Sequence, residues 1–178
     1  MLIHWSFEPI LFSLGPVALR WYGLLFVGAF FLGRVIVARM LEREGEPAET
    51  TDRMMFFGLI GTIVGARLVH CAFYEPAYYF SHPIEIAMIW RGGLASHGGV
   101  IGLLVGLWYV ARSERPRRSF LWLIDRVAIP GAIGGMCIRI ANFLNSEIVG
   151  VPTAGGWGVV FDAVDAVPRH PAQLYEAA

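Results

Sequence analysis

Hydrophobic positions along this chain fall in long, nearly unbroken runs separated by short polar segments. Runs of roughly 20 mostly apolar residues are long enough to cross the hydrocarbon core as helices. Four runs predict spans: Tyr22 to Ala38, Met54 to Phe73, Leu94 to Ala111, and Phe120 to about Ile138. Arg20 and Trp21 stand at one end of the first and Arg39 at the other. Arg34 lies close enough to that end to snorkel toward the interface. Residues 1–15 mix Trp5, Phe7 and Phe12 with His4, Glu8 and Pro9, which predicts an interfacial helix or arm and not a span.

The polar segments set the topology. EREGEPAETTD, Glu42 to Asp52, predicts a turn between the first two spans, and RSERPRR, Arg112 to Arg118, one between the third and fourth. Orientation follows the arginines. Arg39, Arg43, Arg53, Arg112, Arg115, Arg117 and Arg118 share one side, against Arg20, Arg91 and Arg169 on the other. The richer side is expected to be cytoplasmic, so residues 74–93 and those just after 139 face outward. From Asn145 to Arg169 the composition turns to Gly, Pro and Asp, with the turn-rich stretch VPTAGGWG. This predicts an ordered, outward-facing excursion on the periplasmic side. HPAQLYEAA then opens a further helix, with Pro171 at a tolerated first-turn position. It reads as the start of a truncated fifth span at 170–178, the chain being part of a longer protein. The expected fold is an all-α polytopic transmembrane bundle, with residues 1–178 forming one membrane domain.

Glycines refine the picture. Gly98, Gly102 and Gly106 fall on one face of the third span, and Gly61 and Gly65 repeat the spacing in the second. Small residues so placed let helix backbones approach closely where lipid offers no hydrophobic drive to pack. Packing is a stronger reading of these glycines than a phosphate cradle.

Composition agrees with a membrane class: 56% of residues are hydrophobic and 16% charged. Soluble domains carry about 25% charged residues. Net charge is zero, so no general attraction to nucleic acid is expected. Cys71 and Cys137 sit inside apolar runs without a CxxC spacing and read as small buried hydrophobes. No cleavable signal peptide is evident, since the first fifteen residues lack a basic start and contain Glu8.

Polar groups inside spans are costly and are candidates for function. Arg67 and His70, three apart, share a face in the outer half of the second span. An interior ion pair or snorkelling accounts for Arg67 as readily as a functional role, and for His70 better than one. His97, in LASHGGVIG, lies near the outer start of the third span beside Gly98 and Gly99. Arg139 and Asn142, in IRIANFLN, share a helical face at the outer boundary of the fourth. A guanidinium there can grip a phosphate with parallel hydrogen bonds, and an amide beside it can serve a hydroxyl. An interfacial anchor is the plainer alternative. Together with Tyr22 these residues predict a polar site at headgroup depth. No histidine pair or carboxylate partner suggests a metal, no cofactor is expected, and no GxSxG nucleophile turn is present.

SHGGVIG (Ser96 to Gly102), RIANFLNSEIVG (Arg139 to Gly150) and PRHPAQLYEA (Pro168 to Ala177) resemble segments of the prolipoprotein diacylglyceryl transferase family. RWYGLL at Arg20 and GARL at Gly65 are similar to further family segments. The resemblance implies a multi-pass enzyme of the bacterial cytoplasmic (inner) membrane, its active site toward the outer face. Such an enzyme takes phosphatidylglycerol and a prolipoprotein signal peptide with its lipobox cysteine. It moves the diacylglyceryl group onto the cysteine thiol, forming a thioether and releasing glycerol phosphate. His97 matches the family's essential histidine, as base or as an orienting group, and Arg139 would hold the phosphate. Asn142 and Tyr22 would bind the headgroup, with Gly98 and Gly99 lining it. Glu147 and His170 match family positions too, where ordering of the outer excursion is at least as good a reading, and Arg67 and Gly150 are supporting candidates. Ile138 and Ser146 stand where the family commonly has glycine, and Val149 where it has tryptophan. Two rival readings are a lipid-binding or transporter-like membrane protein without chemistry, and an inactive truncated relative.

Overall fold

The computed structural model describes residues 2–14, 17–89, 92–113 and 118–178. Of the expectations above, those on Met1, Gly15, Arg91, Arg115 and Arg117 lie outside the described residues.

The apolar runs fold as helices because lipid leaves no other partner for their backbone polar groups. Helix α1 covers Trp21–Arg43, α2 Ala48–Phe73 and α5 Phe120–Leu144. These three are long and apolar enough to cross a membrane. Their outward surface carries large apolar side chains such as Phe31, Phe56, Leu68 and Leu121. Exposed apolar side chains of this size on long helices suit a lipid environment. Where the sequence predicts a third span the structure has α4, Ser96–Ser113, an 18-residue helix opening on Ser-His-Gly-Gly. Between α2 and α4 lie a short helix α3, Pro76–Ser81, and a 3-10 turn at Pro83–Ala87.

The chain divides into two compact units, one of residues 37–128 and one of residues 1–36 with 129–178. The first is held by an apolar core of Val37 and Leu41 from α1, Met54 from α2, Leu107 and Val110 from α4, and Leu123 from α5. Its second organising feature is the glycine seam between α2 and α4. A side chain added at Gly61 would strike the Gly102 carbonyl, and one at Gly106 the Phe57 carbonyl. The two glycine rows read from the sequence therefore face each other, backbone to backbone.

The other unit contains short strands. β1, Leu2–Trp5, runs parallel to β4, Gly158–Phe161, which pairs antiparallel with β5, Pro168–Arg169. β2, Ile10–Leu14, pairs antiparallel with β3, Val17–Arg20. The segment before α1 is thus an arm of strands and not a helix. The reason is tertiary. Trp5 packs on Phe143 with ring centroids 4.4 Å apart, and its indole N–H donates to the Phe143 carbonyl at 3.1 Å. Phe161, fully buried, closes that small core from β4. A last helix, α6, spans Ala172–Ala177.

Candidate functional site

The residues singled out in the sequence fall into two sets, one in each unit. The richer set lies at the C-terminal end of α5. Arg139 is partly exposed, whereas Asn142, one turn further on, is buried. The helix stops just beyond, where Ser146 and Ile148 take φ of 56° and 52°. This is the left-handed region that glycine prefers and β-branched residues avoid. The turn is held by the groups around it. The Glu147 N–H donates to the Asn142 carbonyl at 2.8 Å. The amide nitrogens of Asn142 and Asn145 donate to the two Glu147 carboxylate oxygens at 3.2 and 3.3 Å. Glu147 is therefore the hub of the turn, and its role in ordering it is visible.

Two residues of α6 that the sequence reading passed over complete this cluster. Gln173, almost wholly buried, donates its amide to the Glu147 carbonyl at 2.6 Å. Glu176 forms an ion pair with Arg139, carboxylate oxygen to guanidinium Nε at 2.6 Å. Their signal was the spacing of three in HPAQLYEAA, the same that joins Arg139 to Asn142. Tyr22, in the first turn of α1, lies within electrostatic reach of Glu147 and Arg139. Three amide oxygens here, Asn142 Oδ1, Asn145 Oδ1 and Gln173 Oε1, are buried without a hydrogen-bond donor among the described residues. Such acceptors suit a hydroxyl, which can donate to them.

Gly150 and His170 belong to the framework of the excursion. Their backbones pair, Gly150 N–H to the His170 carbonyl at 3.1 Å, and a side chain at Gly150 would strike that carbonyl. The His170 ring lies 3.1 Å from the Tyr175 hydroxyl and edge-on to Trp157. Nearby, Arg169 grips Asp165 through two nitrogens at 3.2 and 2.5 Å. That contact, with the Val167 N–H, holds the Asp165 carboxyl below its ordinary value, and Asp165 in turn raises Arg169.

The second set lies in the other unit. His97, in the first turn of α4, is exposed, and its ring has no hydrogen-bond partner among the described residues. Gly98 and Gly99 are buried against α2: a side chain at Gly98 would meet the Gly65 carbonyl, and one at Gly99 the Thr62 methyl at 3.3 Å. Close helix packing accounts for both. Arg67 is buried, so it does not reach the surface, and it forms no ion pair among the described residues. Its guanidinium donates to four carbonyls: Glu85 at 2.6 Å, Ile86 at 2.9 Å, Gly92 at 2.5 Å and Gly93 at 3.1 Å. It also lies over the Tyr79 ring at 4.9 Å. His70, beside it, packs against Gly93, whose φ of 75° and lack of side chain make room for both.

Apolar spans with this polar cluster at the end of one of them define a multi-pass helical membrane protein. Residues 9–178 match the family model described as prolipoprotein diacylglyceryl transferase. Three relatives named phosphatidylglycerol–prolipoprotein diacylglyceryl transferase align over almost the whole chain. That of Tolumonas auensis is 53% identical over 99% of this chain and 68% of its own length. That of Chloroherpeton thalassium is 46% identical over 98% of this chain and 65% of its own. That of Aromatoleum aromaticum is 44% identical over the full chain and 69% of its own. The chain belongs to the prolipoprotein diacylglyceryl transferase family, and it spans about two thirds of the length of these relatives.

Proposed function

We propose that the chain acts as a transferase of lipoprotein biosynthesis. It moves the diacylglyceryl group of phosphatidylglycerol onto the lipobox cysteine of a prolipoprotein at the outer face of the bacterial inner membrane. In the reaction the cysteine sulfur attacks the glycerol carbon that bears the phosphate. The carbon–sulfur bond forms as the carbon–oxygen bond to phosphate breaks, and glycerol phosphate leaves. The nucleophile belongs to the substrate, so neither Cys71 nor Cys137 takes part. A thiol is a weak nucleophile until its proton is removed, and a base speeds attack at neutral pH.

The observation that carries the reading is the pairing of Arg139 with Asn142 at the end of α5. Arg139 offers a partly exposed guanidinium for a phosphate oxygen, and charge developing on the leaving group strengthens that contact where water is scarce. Asn142 adds a buried acceptor suited to a headgroup hydroxyl. His97, in its own unit, is exposed and has no ring partner among the described residues, which suits it to take the thiol proton or to orient the lipid. Glu147 supports Asn142, and Tyr22 lies within electrostatic reach of Glu147 and Arg139. Gly98 and Gly99 serve by packing.

The test is a transfer assay in membranes with phosphatidylglycerol and a lipobox peptide bearing a free cysteine, read by mass spectrometry. This chain and a longer chain containing it are run side by side. A diacylglyceryl adduct that disappears with His97→Ala or Arg139→Ala supports the activity and these roles. Lipid binding without adduct from either chain would favour the non-catalytic binding protein.

A further inference from the structure

We infer that α6 is the positioning element of the phosphate-binding arginine, acting through Glu176 with Gln173 as its anchor. The inference rests on the function proposed above. Gln173 and Glu176 lie three apart, on one face of α6. The first reaches the turn after α5 through the Glu147 carbonyl at 2.6 Å, and the second reaches α5 itself at Arg139, also at 2.6 Å. One short helix is thereby pinned to the site at two points, one buried and one at the surface.

The atoms used matter. Glu176 contacts Arg139 at Nε, and neither terminal guanidinium nitrogen has a partner among the described residues. A planar guanidinium held at Nε keeps its terminal fork in one direction, ready for two phosphate oxygens. Left alone, the arginine side chain rotates about several bonds and loses that direction. Glu147 does not serve as the holder, because its carboxylate oxygens already accept from Asn142 and Asn145. Glu176 is therefore assigned as a positioning residue, acting through its contact with Arg139.

The consequence appears in the chemical step. Misdirecting a phosphate-gripping group by about 1 Å can cost up to about a hundredfold in rate. In a chain that forms the adduct, Glu176→Ala is expected to lower kcat at least tenfold while the KM for phosphatidylglycerol changes less than threefold. Glu176→Gln, which keeps the size of the side chain and removes the charge that pairs with Arg139, is expected to lower kcat as well. Gln173→Ala is expected to lower kcat in the same direction, and Glu176→Gln guards against a simple folding loss in Glu176→Ala.

An unchanged kcat in Glu176→Ala would overturn the inference while wild-type adduct formation leaves the function standing. A lower KM with undiminished kcat would also overturn it, by making Glu176 a competitor of the phosphate. A wild-type chain that forms no adduct removes both.

Discussion

Gly65 and Gly98 meet backbone to backbone across the α2–α4 seam, each lying where a side chain on the other would have to go. At this separation the helices interlock without side chains, which is how small residues hold spans together in lipid. Ala at Gly65 or Gly102 is expected to destabilise the protein by roughly 1–3 kcal/mol, the usual cost of overpacking. Gly23 and Gly131, with nothing within 4 Å of an added Cβ, are the controls: Ala there is neutral or stabilising. Denaturation in detergent, followed for all four variants, separates the two outcomes. Equal effects at seam and control positions would refute the seam.

Arg67 makes a different prediction, since four carbonyls share one buried cation. Arg67→Ala leaves several of those carbonyls without a donor and is expected to cost roughly 3 kcal/mol or more. Arg67→Lys does not rescue it, because a point charge cannot reach carbonyls spread along one fork. Hydrogen exchange at residues 85–89 and 92–95 should rise in both variants. Protection retained in Arg67→Lys would mean that charge alone holds the segment.

At Ser146 the family resemblance and the backbone agree. The family commonly has glycine there, and the residue sits at φ 56°. Removing the Cβ relieves a conformation that costs an L-residue roughly 1–2 kcal/mol. Ser146→Gly is therefore expected to stabilise the turn by about 1 kcal/mol, less some unfolded-state entropy. A thermal shift upward checks it; a shift downward would show that the hydroxyl matters more than the backbone.

Asp165 supplies a pH signature. Its carboxyl lies below the ordinary value in the folded protein, chiefly through Arg169. The ion pair is fully present above the ordinary carboxylate value and is lost as pH falls through the lowered one. Order in the β4–β5 region, monitored by exchange, is expected to decline over that acid window. Asp165→Asn should abolish the decline, and a decline that persists in the variant would assign it elsewhere.

Arg139→Ala is expected to weaken binding of phosphatidylglycerol vesicles tenfold or more, and of zwitterionic vesicles much less. Equal weakening of both would argue against a phosphate contact.

The helices and their glycine faces were legible because both are local patterns: apolar length in the one case, a spacing of four in the other. The pairing of Arg139 with Asn142 was legible for the same reason. Local patterns end there. Nothing near Leu2–Trp5 announces that its partner is Gly158–Phe161, and the strands are too short for a periodicity of their own. Arg67 stood out as a charge in a span, yet its partners are backbone carbonyls, which no side-chain pattern encodes. Glu176 went unnoticed because an acid two residues from the end of an amphipathic stretch reads as solvated surface until α6 folds against α5.

The parallel pairing of β1 with β4 carries a consequence for biogenesis. β1 leaves the ribosome before any of the spans, and its partner follows only after α5 has been made. Contacts so far apart in sequence form slowly, since the intervening chain must be brought together first. The unit that carries Arg139 thus matures only after translation has passed residue 161. A chain ending at residue 150 would contain all the long apolar helices while β1 still lacked its partner strand.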